Sequence, residues 1–148
     1  MGFGPHLVFD GYQCPVERLE DFAYLYRLLD TMPERIHMTK IMPPYVFRSG
    51  RRGESNRGWS GFVLIAESHI SLHTFPSGRY VNADIFSCES FDVEDALSAL
   101  KRAFSPLRVE WKLFDRGREF PRNLARTRSW MARDRKVVAR GLGLEASR

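Results

Sequence analysis

Residues 61–86 read GFVLIAESHISLHTFPSGRYVNADIF, and the fold turns on how that stretch divides. Residues 61–66 hold a near-continuous apolar run (Phe62, Val63, Leu64, Ile65) that fits a buried strand. Residues 70–75 alternate apolar and polar and fit a second strand, and Pro76-Ser77-Gly78 marks a turn. Residues 80–86 give a third strand, with Val81, Ala83 and Ile85 pointing one way and Asn82, Asp84 and Phe86 the other.

Working outward, residues 6–9 form a short strand ended by Asp10-Gly11. Pro15 suits the first turn of a helix, and Leu19, Phe22, Tyr26 and Leu29 recur at helical spacing until Asp30-Thr31-Met32-Pro33 stops it. Residues 36–47 read as a strand broken by Pro43-Pro44, and residues 48–58 as an exposed, Arg-rich loop. Asp92 is a good N-cap, with Asp95 three residues on, for a helix carrying Val93, Ala96, Leu97, Leu100 and Phe104. Residues 107–114 read as a last core strand. Strands in series with two helices set between them predict an α+β fold: a two-layer sandwich, a mostly antiparallel sheet with helices on one face.

At 148 residues the chain fits one domain with a workable core. No apolar run approaches the roughly 18–20 residues of a membrane span. Residues 1–10 lack the basic start and apolar stretch of a signal peptide, so the expected compartment is the cytoplasm. Two cysteines, Cys14 and Cys88, are too few for a disulfide framework and read as free thiols. The net charge of +5 is uneven. Residues 122–148 carry eight Lys or Arg against two Asp or Glu, a net +6 that leaves residues 1–121 at −1. This basic C-terminal extension is compatible with a tail helix over residues 123–139; it reads as a solvated extension or a helix lying on its own protein, and not as a nucleic-acid-binding element.

The chemistry concentrates in residues 66–76 and 84–88. His69 and His73 share one strand face at i and i+4, Ser68 adjoins one of them, and Cys88 follows where a hairpin returns toward them. Three readings compete. His69, His73 and Cys88 have ligand types that suit zinc but no clear fourth ligand. A Ser–His hydrolase would need an orienting acid and an elbow motif that are missing. The third reading is a serine that processes its own chain.

Glu67-Ser68-His69-Ile70-Ser71-Leu72-His73-Thr74-Phe75-Pro76 resembles the signature of the prokaryotic S-adenosylmethionine decarboxylase proenzymes, Glu-Ser-His-x-x-x-His-Thr-Trp-Pro. Asp84-Ile85-Phe86-Ser87-Cys88 resembles their Asp-x-Phe-x-Cys, and His6-Leu7-Val8 and Ser60-Gly61 also match. The resemblance covers about residues 4–115 and implies a domain over residues 1–121. Ser68 would attack the carbonyl of Glu67, the ester would eliminate Glu67 as a carboxylate, and water would convert the remaining dehydroalanine to a pyruvoyl group. The products would be a β chain of residues 1–67 and an α chain of residues 68–148. In the same analogy His73 is the proton acceptor in processing, Ser60 assists it, His69 gives adjacent polar support, and Cys88 is the proton donor in turnover.

The resemblance further implies that the pyruvoyl group forms a Schiff base with the substrate amine and acts as electron sink for loss of carbon dioxide. An ordinary thiol, with a pKa of about 8.5, can then return a proton. The implied product is decarboxylated S-adenosylmethionine, the aminopropyl donor for spermidine. The implied assembly is a homodimer with an αββα arrangement, and no metal or membrane partner is expected.

Three departures fall where substrate would bind. Phe75 replaces the motif tryptophan, Ser77 replaces a glutamate found in many relatives, and the 48–58 loop precedes Ser60. Tyr45 or Phe47 could supply an aromatic ring to stack on adenine. Ornithine or arginine decarboxylation on the same scaffold, or a non-catalytic binding role, are the alternatives.

Overall fold

The computed structural model describes residues 4–50, 57–66, 68–117 and Arg133. Glu67, residues 51–56 of the Arg-rich loop and, apart from Arg133, the expected tail helix lie outside the described residues.

Among the described residues six strands form one sheet: β1 (Gly4–Tyr12), β2 (Tyr45–Arg48), β3 (Trp59–Ile65), β4 (Ser68–Phe75), β5 (Tyr80–Ser87) and β6 (Arg108–Arg116). Their spatial order is β2-β3-β4-β5-β1-β6, and every pairing is antiparallel. Three helices, α1 (Val16–Glu20), α2 (Phe22–Arg35) and α3 (Val93–Phe104), cover one face. The fold is the predicted α+β sandwich of a sheet and a helical layer.

Alternation decides which residues enter the core. Leu7, Phe9, Val63, Ile65, Ile70, Leu72, Val81, Ala83 and Ile85 point to the helices and are buried. They meet Leu25, Leu28, Leu29 and Met32 of α2 and Ala96, Leu97, Leu100 and Phe104 of α3. The residues between them on each strand face the bare side of the sheet. Gly61 lets α2 approach closely. A Cβ there would sit 2.8 Å from Leu29 Cδ1 and 2.9 Å from Val46 Cγ2, so the helix packs directly behind Ser60.

Several boundaries differ from the sequence reading. The expected helix over residues 16–29 is two helices. Asp21 leaves helical geometry and its carboxylate accepts the Tyr24 N–H at 2.9 Å, capping α2. The helix then runs through Pro33 to Arg35, because Met32 and Pro33 are buried in the core and the Ile36 N–H closes the end on the Met32 and Pro33 carbonyls. Of residues 36–47 only Tyr45–Phe47 join a strand, with Arg48; Lys40 makes an isolated bridge to Ile65. Pro43-Pro44, without backbone N–H groups, separates the two. β1 continues past Asp10-Gly11 because β5 and β6 pair with it through Tyr12. The last strand is an edge strand with largely exposed side chains, not a core strand. Among the described residues no helix is long and apolar enough to cross a membrane.

Thr74 ties α1 to the sheet. Fully buried, it donates from Oγ1 to the Leu19 carbonyl at 2.9 Å and accepts the Trp59 N–H at 2.9 Å. Thr74→Val keeps the shape and strands both partners, so it should destabilise the protein by about 2 kcal/mol. A lowered urea midpoint at unchanged slope would show this.

Candidate active site

The bare face is ordered in rows by strand register, because directly paired residues share a face. One row runs Ser60, His73, Asn82, Asp10, Glu110 across β3, β4, β5, β1 and β6. The next runs Tyr45, Phe62, Ser71, Asp84, Val8, Lys112. A third runs Leu64, His69, Phe86, His6, Phe114. The centre of this face is polar, and aromatic rings flank it.

Ser60 and His73 are joined directly: Ser60 Oγ lies 2.7 Å from His73 Nδ1. Ser60 is buried and the His73 ring is open to the bare face. Sequence reasoning placed both in one step of chemistry, and the structure brings them together.

Ser68 lies elsewhere. It starts β4, half-buried, paired with Ile65 on one side and Ser87 on the other. By alternation it begins on the helix side, whereas both histidines face the bare side. Cys88 follows Ser87 directly and is partly buried. The hairpin therefore returns Cys88 to the Ser68 end of the sheet, as expected. It does not bring His73 there. The register is unbroken from Ser68 to His73, and five residues at about 3.3 Å each separate them by roughly 16 Å.

The same spacing separates two of the three residues considered as zinc ligands. His69 and His73 are four extended residues apart, roughly 13 Å. Among the described residues no three His, Cys, Asp or Glu side chains form a metal-binding group.

His69 sits between Leu64 and Phe86, with its ring 5.9 Å from that of Phe86. Burial lowers its pKa; His6 and Arg116 push the same way, and Asp84 opposes them. Tyr45 and Phe47 are exposed on the bare face of edge strand β2, their rings 5.7 Å apart, and Tyr45 lies 6.0 Å from Phe62. Phe75 differs from them: it stacks on Tyr80 at 5.3 Å and belongs to a ladder with Tyr12 and Arg108.

Sequence reasoning assigned no role to Asp84, His6 or Asn82. Asp84 Oδ1 lies 3.2 Å from His6 Nε2, and Ser71 Oγ is 3.5 Å from its other oxygen. The alternation of β5 already put Asn82 and Asp84 on one face; only the β1–β5 register shows what they meet.

A single antiparallel sheet with one helical layer, a bare polar face and a Ser–His pair on it defines a two-layer α+β protein with one side of its sheet uncovered among the described residues. The S-adenosylmethionine decarboxylase family model matches residues 5–117. The chain is 32% identical over 116 residues to the S-adenosylmethionine decarboxylase proenzyme of Clostridium botulinum (strain Loch Maree / Type A3), covering 78% of this chain and 95% of that one. It is 30% identical over 115 residues to the proenzyme of Archaeoglobus fulgidus, covering 77% and 97%. The adenosylmethionine decarboxylase structure from Aquifex aeolicus aligns with a TM-score of 0.66 at 24% identity, over 78% of this chain and 92% of that chain, a likeness of fold. The chain belongs to the S-adenosylmethionine decarboxylase family.

The depressed His69 pKa has a measurable sign. Below about 6.5 the unfolded chain binds a proton that folded His69 resists, so stability present above that value is lost as pH falls through the folded pKa. Between pH 7.5 and 5 the urea midpoint should fall more for the wild type than for His69→Phe. Equal falls would remove His69 from the acid response.

Proposed function

We propose that this chain is a self-processing decarboxylase of S-adenosylmethionine, and that it acts as a homodimer. The observation that carries the reading is the position of Ser68. Ile65 pairs with Ser68, so only Ala66 and Glu67 connect β3 to β4, and the bond to be cut is the last in a two-residue hairpin connection. The Ala66 N–H donates to the Thr39 carbonyl at 2.8 Å, which anchors the connection on its β3 side. Cutting after Glu67 costs no ladder pair, because β4 remains held by β3 and β5 along its length.

Residue 68 fits conversion to a pyruvoyl group. It becomes a chain end at the start of a doubly paired strand, and its neighbour Ser87 immediately precedes the Cys88 thiol. The name proenzyme, carried by the relatives, agrees with activation by cleavage. The ketone of that group supplies an electrophile for the substrate amine and an electron sink beside the departing carboxylate. Before cleavage the Ser68 hydroxyl attacks Glu67, and His73, oriented by Ser60, takes the α-proton of residue 68. In turnover Cys88 returns a proton to the carbon that has lost carbon dioxide. Tyr45, Phe47 and Phe62 offer the rings for the adenine, with Phe75 held back by Tyr80; His69 packs against Phe86 and shapes the same face.

The roughly 16 Å between Ser68 and His73 within one chain makes the second copy part of the chemistry. Two bare faces packed together give the αββα arrangement, and the partner subunit's Ser60 and His73 then serve residue 68. Tyr45, Phe47 and Phe114 leave large apolar surface on that face for such a contact. The names of the relatives favour S-adenosylmethionine over ornithine or arginine. The product is then decarboxylated S-adenosylmethionine, an aminopropyl donor for spermidine synthesis.

Denaturing mass spectrometry should find two chains split at 67/68 in the wild type and one intact chain in Ser68→Ala. A wild type that stays whole contradicts the reading. Carbon dioxide release should be fastest from S-adenosylmethionine; preference for ornithine or arginine would overturn the substrate.

A further inference from the structure

α2 and α3 border an open cleft of about 360 Å³ in the helical layer, on the opposite side of the sheet from the bare face. Three arginines line it, Arg27 and Arg35 from α2 and Arg102 from α3, and no Asp or Glu does. All three are exposed, while Leu28 and Ala103 give the cleft a buried apolar floor.

The cleft is built on fixed contacts between the two helices. The Tyr24 hydroxyl donates to the Ala103 carbonyl at 2.7 Å. Arg18 donates to the carbonyls of Arg102 and Ala103, at 2.6 and 2.8 Å. The electronegative C-terminal end of α3 is therefore already covered by a cation and does not oppose an anion in the cleft.

The three guanidiniums have no counter-charge among the described residues. The ion pairs there are His6–Asp84, Lys40–Asp30 and Arg108–Glu110. Asp30 lies three residues from Arg27 on α2, but Lys40 holds it. At helical-neighbour spacing Arg35 has Thr31 and Met32, and Arg102 has Ser98 and Ala99. Arg102 donates to the neutral Ser98 hydroxyl, which uses one of its N–H groups and leaves its charge unmatched. Like charges lining one cleft focus a positive potential into it.

Spacing along α2 narrows the kind of anion. Arg27 and Arg35 are eight residues apart, roughly 12 Å along the helix axis. The Tyr24–Ala103 bond sets Arg102 beside the Arg27 end. Thr31, between the two, spends its hydroxyl proton on the Arg27 carbonyl at 2.9 Å, so recognition falls to the arginines. A single tetrahedral anion neutralises one end of this row at a time, whereas a chain of phosphates meets both. Guanidinium groups match phosphate oxygens in bidentate geometry. The volume is that of a small-molecule pocket.

We propose that this cleft binds a small linear polyphosphate, free or as the phosphate chain of a nucleotide, with Arg27 and Arg102 at one end and Arg35 at the other. The bound anion ties α2 to α3 and stabilises the folded chain by mass action.

Calorimetric titration and thermal unfolding of the full chain, at about 150 mM salt to screen exposed charges, test this with inorganic triphosphate, ATP, phosphate and sulfate. Triphosphate should bind one per chain, raise Tm, and bind at least tenfold more tightly than phosphate or sulfate. ATP binding like triphosphate places recognition on the phosphates alone; tighter ATP binding adds a contact to the nucleoside, and both outcomes support the proposal. Arg35→Gln and Arg102→Gln should each weaken triphosphate about tenfold, the loss expected for one charge-assisted hydrogen bond. Lys101→Gln, on α3 outside the cleft, should leave binding unchanged. Phosphate binding as tightly as triphosphate overturns the proposal. So does triphosphate binding that survives combined Arg27→Gln, Arg35→Gln and Arg102→Gln, which would assign it to another basic surface such as residues 122–148. Tighter binding of an oligoglutamate peptide than of triphosphate would assign the cleft to a protein partner and overturn it as well.

Discussion

The unbroken pairing of β3 with β4, from Ile65–Ser68 at the turn to Ser60–His73 at the far end, is the constraint on which the site depends. It leaves two residues between Ile65 of β3 and Ser68 of β4. It aligns Ser60 with His73 closely enough for a 2.7 Å hydrogen bond. It also holds that pair roughly 16 Å from residue 68. One ladder thus joins Ser60 to His73 and keeps both far from residue 68 of the same chain.

The helical layer makes this ladder rigid. α2 packs behind Ser60 through Gly61, and Thr74 carries hydrogen bonds from α1 and β3 into β4. With one face so occupied, polar and aromatic side chains collect on the other. Asp84 with His6, and Asp10 with Tyr80, are settled pairs within it. In the row that holds Ser60 and His73, Asn82 Oδ1 is buried without a hydrogen-bond partner among the described residues.

Much of this was legible in the sequence because strands write their faces in alternation. Val81, Ala83 and Ile85 against Asn82, Asp84 and Phe86 gave both sides of β5, and the serine, histidine and cysteine spacing gave the family resemblance. What failed depended on tertiary context. Asp21 broke a helix whose apolar period continued, and Pro33 sat inside a helix because its ring is buried. Residues 107–114 looked like a core strand because their pattern cannot reveal that, among the described residues, no strand pairs beyond them. Adjacent numbering made Ser68 and His69 look like partners, while alternation sent their side chains to opposite faces. That Asp84 meets His6 required the β1–β5 register, which no local pattern encodes.

The account requires that His73 act across a pair of subunits, and complementation measures this directly. His73→Ala and Ser68→Ala chains, each uncleaved alone, would be co-expressed with distinguishable tags and examined by denaturing mass spectrometry. In the mixed dimer the Ser68→Ala subunit supplies an intact His73 to the Ser68 of its partner. The account predicts that the His73→Ala chain is cut at 67/68 only in the presence of the Ser68→Ala chain. Failure of the co-purified mixed dimer to cleave, or cleavage of His73→Ala alone at the wild-type rate, would contradict it.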